Sequence, residues 1–139
     1  MTYDLEPLGI YAPLFNGDSR LTRESLTPLV GGLDQDLRPR VAAYLRAGTI
    51  LFAIMEYTTD VLGDRFGVSG GSAVLSDGTY FWRLDAADYV EVYGTAVPDA
   101  AVAHMRALDW RPPVFEGTAY YELDDRLLAR FAQDRSTAP

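Results

Sequence analysis

Apolar residues recur at helical spacing in a segment that follows two aspartates and ends at a glycine. Asp34 or Asp36 can accept the free amide hydrogens at the start of this helix, and Pro39 suits its first turn. Gly48 offers the left-handed residue that closes a helix. The buried face of this predicted helix carries Leu37, Val41, Tyr44 and Leu45.

Beyond this helix the pattern changes to that of β-strands. Residues 49–59 are nearly continuous in apolar and β-branched side chains, which predicts a central strand covered on both faces. Residues 72–76 and 79–84 flank Asp77-Gly78, a dipeptide that tolerates the two positive-φ positions of a two-residue hairpin turn. We therefore expect a three-stranded antiparallel sheet.

Two further helices follow the hairpin. Asp85 stands at the cap position of the first, and Asp88 stands three residues on, where a capping box places its acid. Gly94 ends this helix, and Pro98 opens the next one. Apolar residues on the buried faces are Ala86, Tyr89, Val90 and Tyr93 in the first helix and Ala101, Val102, Met105 and Leu108 in the second.

The two ends of the chain carry weaker patterns. Residues 1–16 are broken by prolines and predict an extended arm, and residues 21–30 predict a short helix ended by Gly31-Gly32. Residues 118–123 fit either a strand or the approach to a last helix over residues 124–134, and residues 135–139 form a frayed tail. The apolar residues of the arm are Leu5, Leu8, Ile10, Tyr11, Leu14 and Phe15.

These elements together predict one α+β domain over residues 1–139. Its small antiparallel sheet has about three to four strands and is packed by four to five helices. A chain of 139 residues is long enough to bury a core of its own without disulfides or metals.

Composition removes most catalytic chemistries. The chain has no Cys, which excludes disulfides, thiolate metal sites and Cys nucleophiles. All 12 basic residues are Arg, so Schiff-base and phosphate-loop lysines are excluded as well. General bases are limited to carboxylates and to His104, which we interpret as a half-covered boundary residue. The sequence predicts no catalytic residues, no metal site and no cofactor.

The formal net charge of −8 is unevenly distributed. Residues 56–99 hold eight acids and two arginines, a net charge of −6, between two nearly neutral ends. Such a chain is repelled by phosphate backbones, so we expect no binding to nucleic acid. The acidic N-terminus does not fit a secretory signal, and the longest apolar run, residues 50–55, is far shorter than the ~20 residues that span a bilayer. We expect a cytoplasmic protein with no membrane contact.

Two sets of acidic residues have a spacing that fits a cation site or a catalytic pair. Glu56, Asp60 and Asp64 recur every fourth residue, but they fall on a strand and the loop after it, so this spacing does not predict a cation site. Asp85 and Asp88 fit the acid and base of a small hydrolase, although their places at a helix start already explain them. The hydrolase, carboxylate- or metal-dependent, stays as an alternative.

Aromatic residues within the acidic third indicate a binding surface. Tyr and Trp side chains ringed by charge are typical of protein interfaces, and complementary charge speeds association. The alternative is that these rings pack the core. The predicted partner-binding residues are Glu56, Tyr57, Asp60, Asp64, Trp82, Asp85, Asp88 and Glu91.

Part of the chain resembles a known kind of protein. The resemblance is carried by residues 76–82 (Ser-Asp-Gly-Thr-Tyr-Phe-Trp), by residues 87–90 (Ala-Asp-Tyr-Val), by Tyr93-Gly94, and by Val97-Pro98 with a His nearby. Over residues 41–108 this pattern is similar to that of small acidic actinobacterial proteins, several of which resemble immunity proteins of polymorphic toxin systems.

The resemblance and the charge lead to one functional expectation. It is a non-enzymatic immunity protein that binds and neutralises a cognate basic toxin domain. A homo-oligomeric adaptor domain is the remaining alternative beside the hydrolase.

Overall fold

The structure is a computed structural model that describes residues 5–8, 21–53 and 55–137, with side chains up to residue 132. Its helices are α1 (Arg23–Leu26), α2 (Arg38–Arg46), α3 (Ala86–Tyr93), α4 (Asp99–Ala107) and α5 (Gly117–Thr137), and a 3-10 turn spans Thr27–Leu29. Its strands are β1 (Glu6–Pro7), β2 (Thr49–Phe52), β3 (Tyr57–Thr59), β4 (Gly67–Ser69), β5 (Val74–Ser76) and β6 (Tyr80–Arg83). The predicted α+β class is confirmed.

The strands form two sheets. The larger has the order β1-β6-β5-β2, and β2, β5 and β6 pair antiparallel as predicted. The N-terminal arm adds β1 parallel to β6, so this sheet is mixed. β3 and β4 pair separately as an antiparallel two-stranded sheet.

The single long strand predicted over residues 49–59 is wrong. Its first part, β2, lies at one edge of the larger sheet, and its last part, β3, belongs to the other sheet. The pairing of β2 with β5 shifts register between Ile50 and Phe52, and Ile50 is 49% exposed. A continuous apolar run does not show such a break, because every residue in it is compatible with a strand.

The larger sheet is covered by helices on both faces. Side chains of a strand alternate between faces, so neighbours in β5 and β6 enter different cores. Val74 and Phe81 pack with Leu5, Leu51 and the apolar side of α5. Leu75 and Trp82 pack on the opposite side with α2, α3 and α4.

The β5–β6 hairpin turn differs from the predicted two-residue turn. Ser76 pairs with Phe81, so four residues lie between these paired positions, and among them only Gly78 has a positive φ, of 91°. Asp77 is 3% exposed, and its Oδ1 accepts the amides of Thr79 at 2.9 Å and Tyr80 at 2.7 Å. The longer turn forms because the Asp77 side chain supplies the acceptors that the backbone would otherwise provide.

The same carboxylate joins the hairpin to two helices. Asp77 Oδ2 accepts the hydroxyl of Tyr44 in α2 and lies 3.1 Å from Nε2 of His104 in α4. Burial, and the hydrogen bond to Asp77, raise the pKa of Tyr44, so this hydroxyl stays protonated and donates. The side chain of His104 is 27% exposed, as expected for a boundary residue.

Helix ends agree with the sequence predictions in part. Gly94 ends α3 with φ of 60°, as predicted, and Pro39 stands in the first turn of α2. The predicted cap of α2 is wrong, because this helix starts after Leu37 with no side-chain cap. Asp85 occupies the N-cap position of α3 as predicted, but its carboxylate makes no cap hydrogen bond. Asp85 is instead paired with an arginine, as described below.

Gly48 also has a different role from the predicted one. Its φ is not positive, so it does not close α2 in the left-handed conformation. A Cβ at this position would lie 2.5 Å from the Trp82 ring. Glycine is therefore required here for close packing between the α2–β2 junction and β6.

The C-terminal segment is one helix. Residues 118–123, for which a strand was an alternative, lie within α5, and its backbone stays helical to Thr137, into the predicted frayed tail. Leu123, Leu127 and Phe131 recur every fourth residue and are buried against the sheet. At the other end, Leu5 and Leu8 of the arm are buried, whereas Ile10, Tyr11, Leu14 and Phe15 lie outside the described residues.

We predict that Tyr44→Phe lowers the free energy of unfolding by about 1–3 kcal/mol, because a buried carboxylate loses a donor while the aromatic ring is kept. Urea denaturation measures this change. Tyr80→Phe is the matched control: Tyr80 is partly exposed, and we expect a change within ~0.5 kcal/mol. Equal midpoints for wild type and Tyr44→Phe would contradict the prediction.

Candidate functional site

A cleft of about 230 Å³ opens between β3 and the segment that links β6 to α3. Residues 56–59 line one side of it, and Arg83, Asp85 and Tyr89 line the other. Two of these elements are rigid: β6 lies within the four-stranded sheet, and Tyr89 is a core residue of α3. The cleft brings together three of the predicted partner-binding residues, Glu56, Tyr57 and Asp85.

A buried ion pair belongs to the lining of the cleft. Arg83 Nε lies 3.0 Å from Asp85 Oδ1, and Arg83 Nη2 lies 2.9 Å from Asp85 Oδ2. The side chains are 4% and 2% exposed. Thr58 Oγ1 donates to Asp85 Oδ2 at 3.0 Å, which ties the small sheet to this pair. Burial raises the pKa of Asp85, and the guanidinium of Arg83 opposes that shift.

Tyr89 completes the inner wall as a neutral group. Its hydroxyl accepts the amide hydrogen of Val61 at 3.0 Å. Burial raises the pKa of Tyr89 to about 12, so the hydroxyl stays protonated near neutral pH. It therefore offers hydrogen bonding and a ring face, but it is no base at that pH.

Exposed side chains lie on the β3 side of the cleft. Tyr57, which lines the cleft, is 66% exposed. Met55, two residues before it in the sequence, is fully exposed. Glu56 Oε1 accepts the hydroxyl of Ser72 at 2.6 Å. A Cβ at Gly67 would fall 1.8 Å from the Tyr57 hydroxyl, so the tyrosine lies directly over this glycine of β4. The ring is thus supported by the small sheet while most of its surface faces outward.

Asp60 organises the loop that joins β3 to β4. It is 5% exposed, and its carboxylate accepts the amides of Leu62 at 2.8 Å, Gly63 at 3.3 Å and Arg65 at 2.9 Å, together with the hydroxyl of Tyr93. Burial would raise the pKa of Asp60, but these donors outweigh it and hold the pKa below its ordinary value. Its role in the structure is to shape the loop.

Asp88 and Glu91 form ion pairs with Arg46 of α2. Arg46 Nη2 lies 3.3 Å from Asp88 Oδ1, and Arg46 Nη1 lies 3.0 Å from Glu91 Oε2. The hydrogen bond from Arg46 lowers the pKa of Glu91. These contacts are exposed and link α2 to α3.

The structure thus separates the predicted partner-binding residues into three groups. Glu56, Tyr57 and Asp64 are exposed. Asp88 and Glu91 form ion pairs with Arg46. Asp60, Trp82 and Asp85 are buried, and of these three only Asp85 lines the cleft. Trp82 packs in the core, and its one polar group, the indole Nε1–H, donates to the carbonyl of Leu45 at 2.9 Å.

Sequence reasoning missed Arg83 and Thr58, which line the cleft, and the exposed Met55 that precedes β3. A charged residue at the end of an apolar strand, two residues before an aspartate, was the available signal for the Arg83–Asp85 pair. No pattern distinguished Met55 from the apolar residues before it, because the break after β2 is not visible in the sequence.

The geometry of the acidic residues bears on the two chemical alternatives. Glu56, Asp60 and Asp64 do not converge, and no group of three or more His, Asp or Glu in the described ranges could hold a metal ion. Both oxygens of Asp85 are engaged by Arg83 and Thr58, and Asp88 faces Arg46. In this arrangement both carboxylates stabilise the fold, since each is paired with an arginine.

Comparisons with models of protein families, with curated proteins and with solved structures find no match. The geometry of the cleft and its surroundings is therefore what bears on function. Within the part of the chain that the structure describes, no helix has the length and apolar character needed to cross a membrane.

We predict that Arg83→Met lowers the free energy of unfolding by about 3–5 kcal/mol, because it leaves the buried carboxylate of Asp85 uncompensated. In a double-mutant cycle with Asp85→Asn, the double variant should lose less than the sum of the single losses. Arg46→Met is the control for an exposed ion pair and should cost at most ~1 kcal/mol. Additive losses in urea denaturation would show that the pair is not coupled.

We predict that the free energy of unfolding falls at acid pH and that part of this fall depends on Asp60. Because its pKa in the folded state lies below the ordinary value of 3.8, the unfolded chain takes up the proton more readily as pH falls. The stabilisation is complete above the unfolded-state pKa and is lost as pH drops through the folded one. Asp60→Asn should be less stable at neutral pH and should show a flatter profile when urea midpoints are measured from pH ~6 to ~2. Parallel profiles would contradict this assignment.

Proposed function

We propose that the chain is a non-enzymatic immunity protein of the cytoplasm, which neutralises a cognate basic toxin domain by binding over its active site. We place the contact surface on the β3–β4 hairpin and the mouth of the cleft. The observation that carries the proposal is Tyr57, an aromatic side chain that is 66% exposed yet supported over Gly67, beside the exposed carboxylate of Glu56.

The exposed residues of the hairpin are of the types that dominate protein interfaces. Tyrosine supplies a large contact area at low entropic cost, and tyrosine and methionine are enriched in interface cores. Tyr57 and the fully exposed Met55 are close in sequence at one end of the hairpin. A partner that covers them removes apolar surface from water, which favours binding.

Charge favours a basic partner. Asp60 and Asp85 are buried, and their carboxylates are engaged within the fold. Glu56 and Asp64 are exposed, the first just before β3 and the second in the loop that joins β3 to β4. The net charge of −8 adds a long-range field of the same sign. Complementary charge mainly raises the association rate, and the buried anchor residues then set the lifetime of the complex.

The size of the cleft supports binding of a protein surface over binding of a substrate. At about 230 Å³ it is smaller than the ~300–1,000 Å³ typical of pockets for drug-sized ligands. It is suited to one side chain of a partner, inserted next to Tyr57 and above the Arg83–Asp85 pair. That pair contributes no net charge, so the mouth of the cleft is left with the charge of Glu56.

If the neighbouring gene encodes a large protein with a variable C-terminal domain, the test is co-expression of this chain with that domain, followed by co-purification and a survival assay. We expect a one-to-one complex by light scattering and protection of the producing cell. Self-association of the chain alone, with no shift on adding the toxin domain, would favour the adaptor alternative. Absence of both complex and protection would overturn the proposal.

The contact surface has its own prediction. Tyr57→Ala should weaken the complex about 10- to 100-fold in calorimetry, as expected when an interface anchor worth ~1–3 kcal/mol is truncated. Tyr121→Ala is the matched control, since Tyr121 is 68% exposed on α5, away from the hairpin. If the two variants bind alike, the surface is misplaced even where the complex exists.

A further inference from the structure

A cluster of two arginines and a tryptophan lies on elements that the cleft does not use. Arg40 belongs to α2, Arg106 belongs to the last turn of α4, and Trp110 follows α4. The guanidinium carbons of Arg40 and Arg106 lie 5.7 Å and 5.8 Å from the centroid of the Trp110 ring. Both cations are therefore fixed on one indole by cation–π contacts.

Neither of these arginines has an acidic partner among the described residues. No carboxylate oxygen there lies within 4.0 Å of the guanidinium of Arg40 or Arg106, whereas Arg46 and Arg83 each pair with acids. Other described arginines, such as Arg38 and Arg65, also lack an acid within this distance, so what sets Arg40 and Arg106 apart is that both lie over one ring. A guanidinium has five N–H donors and a cation–π contact uses none of them as a hydrogen bond to an acid, so these donors stay available for an oxyanion.

The position of Arg40 is not explained by helix stability. It stands in the first turn of α2, where the helix dipole disfavours a cation, and that turn contains no acid and no side-chain cap. A residue that opposes its local electrostatics is more often kept for another role.

The backbone under the cluster is strained. Asp109 and Trp110 have φ of 56° and 60°, two successive left-handed residues neither of which is glycine. This conformation is rare for a bulky residue. It is held by the amides of Asp109, bonded to the carbonyl of Arg106 at 3.0 Å, and of Trp110, bonded to the carbonyl of Met105 at 2.9 Å. The strained turn presents the indole to both guanidinium groups.

Arg106 also lines a groove of about 320 Å³. Leu37, Val97 and Val102 give it apolar side chains, and Asp34 and Asp99 also line it. An anionic group is repelled by these two carboxylates, so within the groove its favourable contact is with Arg106. The apolar walls can receive the rest of a small molecule.

We propose that Arg40, Arg106 and Trp110 form a binding site for a small organic anion, with a carboxylate or phosphate head on the arginines and an apolar body in the adjoining groove. The net charge of −8 disfavours long polyanions and so favours a small ligand. This site is independent of the proposed toxin contact, because none of its residues lines the cleft.

The test uses the wild-type protein, without a partner, in two-dimensional ¹⁵N NMR. The chain has two tryptophans, so two indole N–H signals are expected, and Trp110→Phe assigns them. Hexanoate and hexyl phosphate are titrated at constant ionic strength, with 1-hexanol as the neutral control. We expect a saturable shift of the Trp110 signal with at least one anion and none with 1-hexanol. The stronger of the two anions identifies the head group.

Substitutions at the arginines complete the test. Arg40→Gln and Arg106→Gln should each weaken binding about tenfold, as expected for loss of one charge-assisted contact. Arg65→Gln is the matched control, since the guanidinium carbon of Arg65 also lies over a ring, 5.5 Å from the centroid of Tyr93. This variant should bind the anion as the wild type does. The Trp82 signal reports that each variant is folded, because that indole is bonded in the core. No saturable shift, an equal shift with 1-hexanol, or unchanged affinity in both arginine variants would overturn the proposal.

Discussion

The buried carboxylate of Asp77 is the contact on which the arrangement of the layers depends. It lies in the turn of the central hairpin, and its two oxygens are engaged by two backbone amides, a tyrosine of α2 and a histidine of α4. An acid with so little exposure is tolerated only when donors surround it. Since those donors come from three elements, the hairpin and the two helices are fixed together at this one point, and the ring of Trp82 packs beside that of Tyr44.

The same principle governs the acidic middle of the chain. Its charge is concentrated in the sequence, but the fold distributes it among different tasks: Asp60 shapes a loop, Asp85 neutralises Arg83, and Asp88 and Glu91 hold Arg46. Charge that is used inside a fold contributes little to a contact surface. What remains exposed around the cleft is a small number of side chains on one hairpin, and this is a more limited surface than the composition suggests.

The sequence predicted elements better than it predicted their roles. Periodicity located α2, α3 and α4, because the buried face of a helix gives a regular spacing of apolar residues, and the Asp77-Gly78 dipeptide between two strand-forming segments located the β5–β6 hairpin. The sequence pattern was misleading where tertiary contacts determine the structure. Asp85 was predicted to cap a helix with its side chain, but its carboxylate pairs with Arg83. Residues 49–59 were predicted to form one strand, but β3 pairs with β4 in a separate sheet. Of the site, Glu56 and Tyr57 were identified by charge and aromatic character. The burial of Trp82 and Asp60 could be seen only in the folded structure, because the identity of an aromatic or acidic residue does not show whether its side chain is exposed or buried.

The contact of Tyr57 with Gly67 has an evolutionary consequence. Glycine is needed at position 67 only while a ring lies over it, and the ring is supported only while position 67 lacks a side chain. Across descendants of this chain the two positions are therefore expected to change together, whereas the contact of Gly48 with Trp82 in the core should persist regardless of what the protein binds. Loss of the first pair with retention of the second would mark the lineages in which the fold survived and its recognition surface was replaced.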